Sequence, residues 1–561
     1  MLYQRNRQSF QTLLSAITLA APDDEAPAII YLETDVDTQT ITRAEFKQAI
    51  GRYASGLQQM RVQARDLVVL AHTQNLESIY AFWGAMLIGA IPSMFPTLTE
   101  KLDRTIYMQS MAELVKLSGV RAILTTDEFA PELSSVVGCP VYGSRTLLES
   151  FTDDYQPYTA NADEIAFLQH SSGTTGLQKG VALSHRAVLN QIASYSDSLQ
   201  LNDADVIVSW LPLYHDMGLI AGFLLPLIQG IPLVLMSPFD WVKRPAMLLR
   251  AIDDYQGTLC WLPNFAYNHC ARRIRQRDLD GISLASIRAF INCSEPVHDS
   301  SHQLFLEKYR PMGVKPEHLT VSYAMAENTF AVTQTPMGTI PLVETVSRID
   351  LEQHLKATLV SPSAEDAIAK VSCGVPIAGA QVKAVDDKGN RLDDRCVGEL
   401  MVKSDCMLTG YYKRDDLKPF DADGWYKTGD RGYIVDGEVY VIGRSKDLII
   451  NAGKNVYPQD LEAIINSVDG VHPGRAVVFG VPDEREGTEL IAVVAEVDTD
   501  DEAKRKAIFQ TIKQTVAMQT TVTVNYVHLV GEKWLIKTSS GKISRSANRD
   551  KWMRETGHND V

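Results

Sequence analysis

Apolar and polar positions follow two different rhythms along this chain. Up to about residue 335, short apolar runs alternate with stretches of helical spacing: LVVLAH at 67–72, RAILTT at 121–126 and IAFL at 165–168 read as buried strands. Thr42-Arg43-Ala44-Glu45 has the form of a capping box and opens a helix with Phe46, Ile50, Tyr53 and Leu57 on one face. SIYAFWGAMLIGA is helical, a short apolar run begins at Ile91, and another helix is expected around 105–117. Strands alternating with helices predict parallel sheets covered by helices. From about Val382 the pattern shortens. VKAVDD, GELMVKS and GYIVDGEVYVIG are separated by Asp/Gly turns such as Asp387-Lys388-Gly389 and Asp436-Gly437, which predicts an antiparallel β region. Beyond the charged RSKD at 444–447 follow LIINAG, a helix starting near Pro458, AVVFGV and ELIAVVAEV, the pattern of a small α+β module.

Length and composition narrow this picture. A chain of 561 residues exceeds what one core usually holds, so at least two domains are expected. Hydrophobic residues are 45% and charged residues 22%, a globular balance, and the net charge of −15 argues against nucleic acid or an anionic membrane as the main partner. Seven dispersed cysteines without a CxxC pair, and an N-terminus without a signal-peptide pattern, lead to the expectation of a reduced, cytoplasmic protein. The apolar stretch 219–236 approaches the length of a membrane span, but Pro226, Gly230 and Pro232 interrupt it. A buried helix followed by a buried strand is expected there, with no membrane span.

The strongest chemical signal is HSSGTTGLQKGVALSH at 170–185. A loop dense in Gly, Ser and Thr can turn backbone N–H groups and hydroxyls onto phosphates, and Lys179 adds charge. It is not a Walker A loop, because five residues after Gly173 stands Gln178.

With SYAMAENT (322–329), GWYKTGDRG (424–432), GRSKDLII (443–450) and KTSSGKISR (537–545), this loop resembles the signatures of the adenylate-forming superfamily. The resemblance implies an α/β fold with an added β region. A large N-terminal domain of two αβ layers plus a β-barrel-like subdomain would precede a small mobile α+β C-terminal domain. The boundaries read from the chain are 1–443, with αβ layers to about 335, an insertion at about 343–369 and the β region at about 371–443, then a hinge at 444–447 and a lid at 448–561.

The resemblance also implies roles, residue by residue. Lys542 and Glu327 are the catalytic pair, Lys542 reaching the α-phosphate and the substrate carboxylate. Glu327 would hold Mg²⁺ with Thr174 or Thr175. The nucleotide, ATP and then AMP, would lie against Ser171, Ser172, Gly173, Thr174, Thr175, Gly176 and Lys179. It would also meet Ser294, Glu295 and Pro296, then Tyr323, Ala324, Met325 and Ala326, with Asp430 and Arg444 on the ribose. Lys446 would be the hinge residue. Gln178, Cys293, Ala324 and Ile536 depart from the superfamily's pattern; Cys293 and Ala324 add side chains where a nucleotide ring approaches backbone.

SWLPLYHDMGLIAG (209–222), LCWLPNFAYN (259–268), LMSPFDWVKRP (235–245) and KVSCGVPIAG (370–379) resemble the fatty acyl-AMP ligase branch, as does the extra stretch 343–369. That branch activates a fatty acid and passes it to an acyl carrier protein, here expected to be a separate chain. The resemblance implies that the insertion hinders the domain movement needed to use CoA. The acyl chain would run past Phe223, Phe265 and Tyr267 with His215 at the mouth. An acyl-CoA synthetase, a stand-alone amino-acid adenylation enzyme (with Asp216 facing the ammonium) and a degenerate nucleotide-binding module are the alternatives.

Overall fold

The computed structural model describes residues 10–19, 23–72, 75–98, 104–145, 154–170, 179–451, 454–483, 488–520, 522–538 and 542–557. The capping box forms as the sequence predicts. The Thr42 hydroxyl accepts the Glu45 amide and the Glu45 carboxylate accepts the Thr42 amide, opening the helix Arg43–Gln59. Phe46, Ile50, Tyr53 and Leu57 are all buried.

Two sheets organise the large domain. In the first, strands Leu67–Ala71, Ile91–Phe95, Val120–Thr125, Val141–Gly143 and Ile165–His170 run parallel, and Gly180–Ser184 returns antiparallel to Ile165–His170. The second has nine strands. Its centre is a parallel set, Leu233–Met236, Ile207–Ser209, Leu259–Leu262, Ala289–Asn292 and Leu319–Ala324. These strands are mostly apolar and, Ala324 apart, buried, as expected of a parallel sheet covered by helices. The stretch 219–236 is a buried helical segment, π-helical over Met217–Leu224, followed by the strand Leu233–Met236. Glycine is required where that segment starts: a Cβ on Gly218 would lie 2.2 Å from the Pro212 carbonyl oxygen.

The β region departs from the expected barrel. Ala380–Val385, Gly398–Ser404, Tyr426–Val435 and Glu438–Arg444 form an open four-stranded antiparallel sheet. Two further short strands from the same part of the chain leave it. Val375–Pro376 extends the nine-stranded sheet and Gly410–Tyr411 extends the other, so the region staples both αβ sheets together rather than closing on itself. The hairpin Val343–Ser347/Ala367–Val371 spans the stretch expected as an insertion, about 343–369, and runs two residues past it.

The small C-terminal domain has its own core, including Ile449, Leu461, Ile465, Val478, Val493, Ile512 and Val524. It is built on Val471–Asp483, Thr488–Val497 and Tyr526–Val530. Among the described residues no helix is long and apolar enough to cross a membrane.

Candidate active site

In open α/β sheets, side chains that act on a ligand gather beyond the carboxyl ends of parallel strands, where loops are free of the ladder. Four neighbouring strands of the nine-stranded sheet supply such ends here. Ile207–Ser209 leads to His215 and Asp216, Leu259–Leu262 to Phe265, Ala289–Asn292 to Ser294 and Glu295, and Leu319–Ala324 to Glu327. Lys542, from the small domain, reaches the same edge: its Nζ donates to the Ser294 carbonyl oxygen at 2.5 Å. Ser294 holds φ +70°, a conformation side-chain-bearing residues seldom adopt, which marks a constrained site.

Polar side chains beneath this edge fix the Ser294 loop. Asn292 donates from Nδ2 to Asn264 Oδ1 (3.1 Å) and to His302 Nε2 (2.9 Å), and Asn264 Nδ2 donates to Ser301 Oγ (3.1 Å). The sequence reading missed this group. Two asparagines at the carboxyl ends of apolar runs, in WLPN and INCSE, were the available signal. Glu295 is turned toward the same scaffold, its Oε2 accepting the Phe265 amide at 2.9 Å, where it caps the helix Asn264–Arg273. Cys293 is fully buried, and burial holds its thiol up at about 12.

Glu327 sits in the short turn Ala326–Asn328. Its Oε1 accepts the Tyr411 hydroxyl at 3.1 Å, and Tyr411 is in turn 3.2 Å from the Tyr426 hydroxyl. The Lys179 Nζ stands 4.9 Å from the centre of the Tyr411 ring, a cation–π distance. The Gly/Ser/Thr loop is flanked by paired residues, His170 opposite Gly180. It therefore joins two antiparallel strands rather than leading straight into a helix; the helix His185–Ser198 starts one strand later. Ser171, Ser172, Gly173, Thr174, Thr175 and Gly176 lie outside the described residues.

A second cluster lies where the four-stranded sheet meets the Leu319–Ala324 strand. Asp430, buried, accepts the Tyr323 hydroxyl at Oδ2 (2.7 Å) and Arg444 Nε at Oδ1 (3.1 Å). Burial and the adjacent Asp430 carboxylate push the Tyr323 hydroxyl well above its usual range, and Asp430 pushes Arg444 up. Lys446, exposed in the turn Ser445–Asp447, is lowered by partial desolvation and by Arg444. Ala324 and Met325 are half-buried beside Tyr323, Ala326 begins the Glu327 turn, and Pro296 follows Glu295 without a hydrogen-bonding role among the described residues.

The expected acyl wall divides. His215 is half-buried, with burial and Lys542 holding its imidazole down to about 3, so it is neutral. Burial raises the neighbouring Asp216 carboxyl, which Lys542 opposes, and its side chain accepts the Met217 amide at 2.8 Å. Phe265 is 44% exposed and packs edge-on against Trp210 and Trp241, two indoles stacked 3.6 Å apart. Phe223 and Tyr267 are instead fully enclosed, Phe223 against Phe82 and Tyr267 against His302 and Phe305. Hydrophobic periodicity marks both kinds of position alike.

Residues 19–412 match the family described as AMP-binding enzyme. The chain is 31% identical over 528 residues to the medium-chain-fatty-acid–[acyl-carrier-protein] ligase JamA of Moorena producens, covering 89% of this chain and 87% of that protein. It is 30% identical to the long-chain-fatty-acid–AMP ligase FadD32 of Mycolicibacterium smegmatis, covering 92% and 89%. A solved structure from studies of fatty acyl-adenylate ligases of E. coli and L. pneumophila superimposes with a TM-score of 0.91 at 26% identity, covering 98% of this chain and 99% of that one.

Proposed function

The chain belongs to the AMP-binding enzyme family, and from that premise we propose that it activates a fatty acid with ATP, forming acyl-AMP and pyrophosphate, and hands the acyl group to a separate acyl carrier protein. The observation that carries this reading is Lys542 at 2.5 Å from the Ser294 carbonyl, a cation from the small domain held at the strand edge that also presents His215 and Glu327.

A fatty acid is ionised at neutral pH, so no general base is needed. One carboxylate oxygen bonds to the α-phosphorus while the bond to the pyrophosphate oxygen breaks. The barrier is repulsion between two anions and the charge growing on pyrophosphate. Preorganised cations lower it. Lys542 would leave the Ser294 carbonyl for the oxygens shared by nucleophile and α-phosphate, and Lys179 would meet the departing phosphates. His215, kept neutral by burial, lets the acyl chain pass without adding a second positive charge beside Lys542.

Glu327 supplies a carboxylate backed by a phenol, an all-oxygen setting that suits a hard divalent cation. Glu327, with Thr174 or Thr175, would hold Mg²⁺, which when bound neutralises phosphate charge. Asp430 and Arg444 would take the ribose, and Tyr323 the adenine. Residues 1–443 would form the adenylating domain and 448–561 the lid, turning about Lys446 in 444–447 to free the site for acyl transfer. ATP as the co-substrate fits a cytoplasmic setting.

JamA, named for transfer to a carrier protein, supports that acceptor. So does the hairpin Val343–Ser347/Ala367–Val371, which reaches the small domain. Lys370 Nζ lies 3.1 Å from Asp460 Oδ1, and Asn455 Nδ2 donates to the Glu352 carbonyl at 2.9 Å. An ATP–pyrophosphate exchange screen over acids of increasing length tests the first half-reaction; adding CoA or a holo carrier protein to the preformed adenylate tests the second. Exchange with no fatty acid of any length overturns the proposal.

A further inference from the structure

Helix Asn264–Arg273 begins at the reaction centre and ends in an uncommon concentration of positive charge. Its buried face is Ala266, Tyr267, Cys270 and Ala271. The opposite face carries Phe265, His269, Arg272 and Arg273, spaced as i, i+4, i+7 and i+8. At the first end, Phe265 is 44% exposed and its amide is held by Glu295, next to the Ser294 that receives Lys542. At the other, about 15 Å away for ten residues, the side chains of Arg272 and Arg273 are exposed and make no ion pair or hydrogen bond among the described residues. Arg275 and Arg277, also exposed, share a single partner, Asp278, at 3.4 and 3.7 Å. Lys308 adds a fifth cation, its Nζ donating to the last carbonyls of the helix at Ala271 (2.6 Å) and Ile274. Over residues 272–280 four arginines face two aspartates, Asp278 and Asp280, in a chain whose net charge is −15.

Basic residues at a helix C-terminus stabilise its dipole, and that alone would account for one or two of them. It does not account for the exposed apolar side chains beside them. Val242 (42%) and Phe239 (38%) belong to the helix Pro238–Lys243, which is joined to this face through a hydrogen bond between His269 and the Val242 backbone and by the packing of His269 on Trp241 at 5.3 Å. Exposed aromatic and aliphatic side chains bordered by unpaired arginines are the composition of a protein-binding patch.

We propose that this face docks the acceptor: a small acidic acyl carrier protein whose carboxylates meet Arg272, Arg273, Arg275 and Arg277 while its thiol-bearing arm follows the helix toward Phe265 and the adenylate. Charge complementarity selects that occupant, since a second copy of this acidic chain would be repelled at long range. The inference rests on the acceptor being a carrier protein and extends that reading to a surface.

The test compares the wild type with Arg272→Glu/Arg273→Glu, and with the milder Arg272→Gln/Arg273→Gln. Fatty-acid-dependent ATP–pyrophosphate exchange reports adenylate formation, and loading of a panel of holo acyl carrier proteins reports transfer. The expected result is unchanged exchange in both variants, with KM for the loaded carrier raised about tenfold or more in the charge reversal, less in the neutral variant, and a flatter dependence on salt. Equal loading by wild type and charge reversal overturns the docking surface. Loading of no carrier by the wild type, with exchange intact, overturns the acceptor assignment and the surface with it. Wild-type binding to phosphatidylglycerol vesicles that is lost in the charge reversal, with carrier loading unaltered, would assign the patch to a membrane surface and overturn the proposal.

Discussion

Lys542 and Ser294 are 248 positions apart in the chain, yet the lysine Nζ is 2.5 Å from the serine carbonyl oxygen. The contact brings the small domain's lysine to the carboxyl edge of the nine-stranded sheet, and it sets what each half of the molecule contributes. The large domain offers a rigid, hydrogen-bonded edge, and the small domain delivers one charge to it.

Lys542→Ala should therefore lower ATP–pyrophosphate exchange by roughly 10²–10³-fold, the usual loss for one preorganised donor at a developing charge. The unfolding midpoint of the large domain should stay within about a degree, because its core does not include Lys542. Undiminished exchange would remove the lysine from the mechanism.

Asp430 accepts both Tyr323 and Arg444. Asp430→Asn should raise KM for ATP about tenfold or more while changing kcat less, since the group would bind ribose rather than stabilise the reacting phosphate. Arg444 is 52% exposed, so the ion pair itself adds little stability. Tyr323→Phe should destabilise the fold by about 1–3 kcal/mol, because it leaves a buried carboxylate oxygen short of a donor. Steady-state kinetics and denaturant titration separate the two effects.

The pair Lys370–Asp460 joins the hairpin Val343–Ser347/Ala367–Val371 to the helix Pro458–Ile465 with both side chains mostly enclosed, 11% and 13% exposed. Lys370→Ala should leave exchange intact and free the small domain. Limited proteolysis within 444–447 should quicken about tenfold, equivalent to roughly 1.4 kcal/mol of lost restraint, and CoA-dependent consumption of the adenylate should rise above background. A variant with wild-type cleavage rates would show that the hairpin does not restrain the domain.

Acid should destabilise the large domain through histidines buried in neutral form. His185 Nδ1 accepts the Leu13 amide, and His302 Nε2 accepts Asn292 Nδ2; burial holds each at about 4. Between about pH 6.5 and 4 the unfolded chain binds these protons and the folded one does not, so stability falls as pH drops through that window. Each histidine contributes up to about 2 kcal/mol of the loss by pH 5. Urea titrations at pH 7 and 5 measure it, and His302→Gln should reduce the slope.

Much of the fold was readable from periodicity and capping. The Thr42 box, the strand at Leu67–Ala71 and the broken helix–strand character of 219–236 follow from side-chain shape and spacing, which act over a few residues. The barrel-like β region proved to be an open sheet, because short strands do not carry the identity of their partners. Gly410–Tyr411 pairs with Gly180–Ser184 more than two hundred residues earlier. The loop residues 171–176 were legible as a motif and lie outside the described residues.

Within the site, the sequence determined which charges are available. Glu327, Asp430, Lys179 and Lys542 are fixed by residue type, as is a surplus of arginine at 272–277. Only the tertiary structure decided how they are used. It turned Glu295 onto the Phe265 amide, enclosed Phe223 and Tyr267, put Tyr411 on Glu327, and set Lys370 against Asp460. The reason is physical: local spacing governs the element a residue joins. Hydrogen bonds and ion pairs act only over a few ångströms, and folding alone brings distant parts of the chain within that range.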